Sequence, residues 1–180
     1  AGQVLFASGQ FDQSGQITDA SGHVLESELA GGPVQPHYRR ITNPAEVQIY
    51  ESVMADKNGE VTFTLLRGAR YLKDNRLLPR GWDSDHPDAT ATAPAGVADD
   101  GNFRDGQDEV LYEVQLEGEG PMTIQASLHY QSIGVRHVSE VFAFDTPEVK
   151  TFKRMYDAAD RTPETLGKAI KNIPANREEP

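Results

Sequence analysis

The chain has 180 residues, 28 Asp and Glu against 17 Lys and Arg, a formal charge of -11 and no cysteine. That length suits one domain able to bury a two-layer core, and the acidic balance argues against nucleic acid or anionic lipid as partners, because both repel it. Without cysteine the chain has no disulfide, thiolate zinc site, thiol nucleophile or Cys-x-x-Cys-His haem attachment, and no apolar run approaches the ~20 residues of a membrane span.

From the N-terminus, Val4 to Ala7 reads as a short strand, and the pairs Ser14-Gly15 and Ser21-Gly22 are spaced like hairpin corners, so two or three strands are expected. Val47, Ile49 and 51–53 read as a strand leading to a tight turn at Asn58-Gly59, after which Val61, Phe63 and Leu65 alternate on one face. The following ARYLKDNRLLPRGW allows a helical turn or an extended segment before Pro79 and Gly81 stop it, and the extended reading is favoured. Residues 82–107 shift to Asp, Ala, Thr, Pro and Gly, which predicts a long irregular loop that is functional or wrapped against the surface.

Order returns where Val110, Tyr112, Val114 and Leu116 alternate, Glu119-Gly120-Pro121 turns the chain, and Met122, Ile124, Ala126 and Leu128 alternate again. That pattern predicts two long antiparallel strands joined at 119–121. Thr146 is placed to cap a helix with Pro147 at its first position and Val149, Phe152, Lys153 and Tyr156 along one stripe, and Thr162-Pro163 reads as the start of another short helix. The C-terminal segment is therefore expected to be helical over about 147–171, before the polar tail NREEP. The sum is a single mainly-β domain over 1–180: an antiparallel β-sandwich of jelly-roll or immunoglobulin-like type with a short C-terminal helix. Its inward faces would carry Val61, Phe63, Leu65, Val110, Tyr112, Val114, Ile124 and Leu128.

Chemistry is sparse. None of the five histidines stands at the i, i+4 spacing of a helical metal pair or beside an evident Ser and Asp partner, and no phosphate loop or nucleophile elbow occurs. His37, set beside Arg39 in PHYRRI, and His137, after Arg136 in GVRHVSEVF, are the candidates to face a partner's acidic rim or a haem propionate. The acidic loop offers Asp83, Asp85, Asp88, Asp99, Asp100, Asn102, Asp105 and Asp108. Hard cations want six to eight oxygens, so Asp99, Asn102, Asp105 and Asp108 form a candidate Ca²⁺ site, while the same residues also suit a run of Asx turns. Trp82, Tyr71, Tyr38 and Tyr130 would serve a sugar-stacking platform or simply pack in the core.

The pieces PHYRRI, VQIYESVM, YLKDNRLLPRGW, the Asp-Gly loop running into DEVLYEV, and LHYQSI span about 36–133. Together they resemble the C-terminal β-rich region of bacterial extracytoplasmic multihaem c-type cytochromes. In those proteins the region is joined to Cys-x-x-Cys-His segments and preceded by further strands, and neither stands in this sequence. The resemblance implies a non-catalytic structural or docking domain in the periplasm or outside the cell. Its partner would be a haem-bearing c-type cytochrome chain or segment, and it would support electron transfer without performing it. A calcium-stabilised carbohydrate-binding module is the alternative.

Overall fold

The computed structural model describes residues 2–115 and 120–175. Leu116, Glu119 of the expected turn, and the tail 176–180 lie outside the described residues. In chain order the elements are β1 (Gln10–Phe11), β2 (Ile17–Thr18), β3 (Arg40–Ile41), β4 (Ser52–Ala55), β5 (Val61–Thr62), β6 (Arg70–Asp74), α1 (Ala89–Thr92), β7 (Leu111–Tyr112), β8 (Met122–Tyr130), α2 (Val135–Val141), α3 (Pro147–Ala158) and β9 (Glu164–Ile173). Strand, at 25%, exceeds helix, at 17%, so the class is mainly β. Among the described residues the strands form four small sheets, β1-β2, β3-β7, β5-β4-β6 and β8-β9, and none closes into a barrel.

Local chemistry accounts for the early turns. Asp12 and Asp19 each turn a carboxylate back onto backbone N–H groups two and four residues on, fixing the corners at Ser14-Gly15 and Ser21-Gly22. Asp56 does the same for Asn58 and Glu60, and Gly59 supplies the φ of +90° that closes the β4-β5 turn. The extended reading of ARYLKDN holds, since β6 pairs antiparallel with β4. Residues 82–107 wrap against the body: Ala95 exchanges two backbone hydrogen bonds with Asp74, Gly106 N–H donates to Leu78, and Phe103 and Ala89 are buried.

Several expectations need correction. Residues 4–7 form no strand, and Leu65 sits in an exposed 3-10 turn at Leu65–Arg67 rather than on an inward face. The stretch around Val110 to Val114 yields only β7, which pairs in parallel with β3 (Arg40↔Leu111, Ile41↔Tyr112) instead of with 122–128. The partner of β8 is β9, in register from Met122↔Ile173 to Tyr130↔Glu164. The expected second helix is thus a strand, and the C-terminal helix ends at Ala158 rather than near 171. Pro163 does not open a helix there; the Asp160 carboxylate binds Thr162 N–H, and pairing with β8 overrides the helical reading beyond it. Thr146 does cap α3, accepting Val149 N–H at 3.3 Å, and Phe152 and Tyr156 pack on Phe142 with centroids 5.7 and 5.5 Å apart. The sequence reading overlooked α2, although Val135 and Val138, both buried, stand at helical spacing.

The core is small. Its buried apolar side chains are Ile41, Val47, Val53, Ala55, Leu78, Ala89 and Phe103, joined by Val135 and Val138 of α2. Strand β8, helix α3 and strand β9 contribute none, and Ile124 and Leu128, expected inside, are 52% and 45% exposed. Ile41 has no exposed surface, whereas Leu66 is 99% exposed. Ile41→Ala should therefore lower unfolding free energy by about 2–5 kcal/mol in urea titrations, and Leu66→Ala should change it by less than about 0.5 kcal/mol. Equal effects would place the core elsewhere.

Candidate functional site

The most ordered polar chemistry in the chain surrounds one imidazole. His37 precedes β3, Gln48 and Tyr50 lie on an extended segment leading into β4, Asn75 follows β6, and Asp100 and Asp108 come from the far end of the wrapped loop. Alternation along the extended segment puts Gln48 and Tyr50 on one side and Val47 and Ile49 on the other, so the polar pair faces the imidazole. The side chains of His37 and Asp100 retain only 2% and 1% of their exposure.

The amide orientations follow from their backbone partners, and they determine the tautomer. Gln48 Oε1 accepts Tyr38 N–H at 2.8 Å, which turns its NH₂ toward His37 Nδ1 (2.9 Å) and Asp108 Oδ2 (3.2 Å). Asn75 Oδ1 accepts Glu51 N–H at 2.9 Å, which turns its NH₂ toward Ile49 C=O (2.9 Å) and again His37 Nδ1 (3.1 Å). Two NH₂ groups thus share the Nδ1 lone pair, and the ring proton sits on Nε2, donating to Asp100 Oδ2 at 3.1 Å. Phe103 closes the ring's face edge-on, with centroids 5.2 Å apart. Asp108 also accepts the Tyr50 hydroxyl at 2.6 Å, and Asn102 clasps Glu109 through both its amide groups.

Burial alone would push the Asp100 carboxyl up, but Asn102 N–H, the His37 ring and the Arg39 guanidinium together hold it below the usual carboxylate range. Tyr50 is pushed well above an ordinary phenol, first by burial and then by its bond to the Asp108 carboxylate. Nearby, burial lowers Lys73, opposed by the Glu51 carboxylate 3.1 Å away.

The residues picked from sequence divide. Among the described residues, the group of His, Asp or Glu side chains whose ligand atoms converge is His37, Asp100 and Asp108, all within 4.8 Å of one another. Asn102 stands beside that group and Asp108 belongs to it. Asp99 is exposed and apart, and Asp105 instead accepts Gly81 N–H at 3.0 Å. The oxygen cage expected from Asp99, Asn102, Asp105 and Asp108 therefore does not converge. His37 is corrected from a partner-facing residue to an interior one, because its ring is the hub of the buried network. Arg39 is largely exposed, its Nε 3.8 Å from Asp100, on the rim of a depression of about 560 Å³ shared with Arg40, Asn102, Glu109, Val110 and Leu111. His137 packs edge-on against Phe63 at 5.2 Å, while its neighbour Arg136 gathers the carbonyls of Ser27, Gly32 and Pro33. Gln48, Tyr50 and Asn75 were not singled out in the sequence. The Gln48-Tyr50 alternation opposite two apolar residues was the signal available for two of them.

The arrangement is chemically closed: imidazole, amides and carboxylates are spent on one another, and the ring is shut off from solvent. It joins the wrapped loop to the strands. Asn75→Ala strands the Glu51 N–H, the Ile49 C=O and half of the Nδ1 contact, so it should cost about 2–4 kcal/mol, against less than about 1 kcal/mol for Asp105→Ala at the surface. Comparable losses would mean the network is not what fixes the loop.

Tyr50 has a raised folded pKa, so the stability it contributes is intact below its unfolded value near 10 and lost as pH rises past it. Burial raises Tyr38 and Tyr112 in the same direction. A titration followed at 295 nm should show part of the tyrosinate signal lagging and appearing with unfolding, and Tyr50→Phe should shorten that lag. A single transition near pH 10 from a chain that stays folded would contradict the burial of Tyr50.

The comparisons close on a negative: no family model, no curated protein and no solved structure matches the chain.

Proposed function

We propose that this chain is a non-catalytic structural or docking domain of a periplasmic or extracellular assembly, joined to a multihaem c-type cytochrome chain or segment and supporting electron transfer that takes place on that partner. The supporting observation is uncovered surface. A folded protein of 19.8 kDa is expected to expose about 8,600 Å², yet this chain exposes 13084 Å². The ten residues outside the described set, counted as fully extended at roughly 160 Å² each, explain about 1,600 Å² of the difference. Roughly 2,900 Å² remains, more than three times the ~800 Å² that one partner contributes to a standard interface.

Part of that surface lies in the last third, where β8, α3 and β9 contribute no buried side chain. The even-numbered face of β8, Met122, Ile124, Ala126 and Leu128, lies beside Ile173, Lys171, Ala169 and Gly167 of β9, and β8 itself has the alternation of a strand built to cover a core. Helix α3 presents Phe152 and Met155 on an open groove of about 430 Å³ with Pro147, Glu148 and Thr151. Such patches mark contact sites. The antiparallel β-sandwich of jelly-roll or immunoglobulin-like type belongs to the same proposal, as the architecture that the small sheets of this one chain would build. With no cysteine the chain has no Cys-x-x-Cys-His attachment of its own, so on this reading the covalent haem belongs to a neighbour, and a multihaem cytochrome is the neighbour that the resemblance over 36–133 implies.

The calcium-stabilised carbohydrate-binding alternative has less in its favour. Its expected ligands are dispersed, and among the described residues no ring contact joins any two of Trp82, Tyr71, Tyr38 and Tyr130. Mild purification of the chain from its native source should co-isolate a polypeptide with Cys-x-x-Cys-His motifs and a haem Soret band, and Met155→Glu should cut that recovery at least about tenfold. Recovery of the chain free of any haem-bearing polypeptide would overturn the reading.

A further inference from the structure

The two outer edges of the β8-β9 ribbon are built differently. Strand β9 carries Glu164, Lys168 and Lys171, a glycine at 167, and an extra residue, Leu166, where the register slips between Leu128 and His129. Charges, glycine and a bulge are the devices by which natural sheets keep an edge from pairing. Strand β8 has none of them. Its nine residues, MTIQASLHY, include no Asp, Glu, Lys, Arg, Pro or Gly, and among the described residues its outer edge makes no backbone hydrogen bond. A long, uncharged, regular edge is a template for another strand.

We propose that β8 pairs antiparallel with β8 of a second copy of this chain, joining two ribbons into a four-stranded sheet. The inference rests on the reading of the C-terminal third as contact surface and assigns its edge, leaving the apolar face for the haem-bearing partner. Two observations select a second copy. First, the strand is self-matching: an antiparallel register centred on Ala126 sets Ile124 against Leu128 and Gln125 against Ser127, so apolar meets apolar and polar meets polar. Second, charge permits it. Residues 1–121 hold twenty Asp or Glu against nine Lys or Arg, whereas 122–173 hold six against seven, so the segment that carries the strand is itself nearly neutral.

The test uses the chain alone, so its failure is separate from failure of the cytochrome reading. At about 100 µM, where a micromolar contact is nearly saturated, sedimentation should give twice the 19.8 kDa mass. Ala126→Lys sets like charges against each other across the two-fold axis and should weaken the dimer at least about tenfold while leaving the circular dichroism unchanged. In this cysteine-free chain, Ala126→Cys should oxidise to a disulfide-linked dimer, because directly opposed positions on antiparallel strands lie about 4.5–5.5 Å apart, whereas Lys168→Cys on β9 should not. A monomeric wild-type chain, or a dimer indifferent to Ala126→Lys, overturns the proposal.

Discussion

Four segments of this chain converge on the His37 ring, and what holds them is the completeness of its hydrogen bonding. A buried polar group costs a few kcal/mol if left unpaired, and here Gln48 and Asn75 have each oxygen taken by a backbone N–H, which leaves their NH₂ groups only the imidazole, a carboxylate and a carbonyl to meet. The network thereby substitutes for apolar contacts that a small core lacks. It fastens a long Asp-rich loop to strands that share few buried side chains with it, chiefly through Phe103 and Ala89.

That dependence explains which parts of the molecule were legible in the sequence. Turns whose geometry is enforced by a nearby side chain, at Asp12, Asp19 and Asp56, read correctly because the cause is local. The cap at Thr146 and Pro147 did so for the same reason. Pairing did not, because alternation at 110–116 and 122–128 tells which face is apolar and not which strand lies alongside. The strand β9 was hidden by its own Thr162-Pro163, a good helix start that long-range pairing with β8 overruled. At the site, Asp-rich composition drew attention to the correct loop but not to the correct atoms. Asp99 and Asp100 are neighbours of the same type, and only the fold decides that one lies in water and the other under an imidazole.

The last third obeys a different constraint. Helix α3 and the β8-β9 ribbon are well formed internally, with a capped helix start, a Phe142, Phe152 and Tyr156 cluster, and a nine-pair ladder. Yet they lend the core no buried side chain, and an apolar ribbon face left in water forgoes roughly 25 cal/mol for each Å². A sheet this narrow is marginal alone. Cover from another polypeptide would relieve that cost, and this is the physical content of the docking role proposed here.

Hydrogen exchange compared between the isolated chain and its native assembly tests this most directly. The account predicts that amides of 147–158 exchange readily in isolation and become protected in the assembly, while Glu51 N–H and Tyr38 N–H, held by Asn75 and Gln48, are protected in both. Equal protection of α3 in the two states would contradict it.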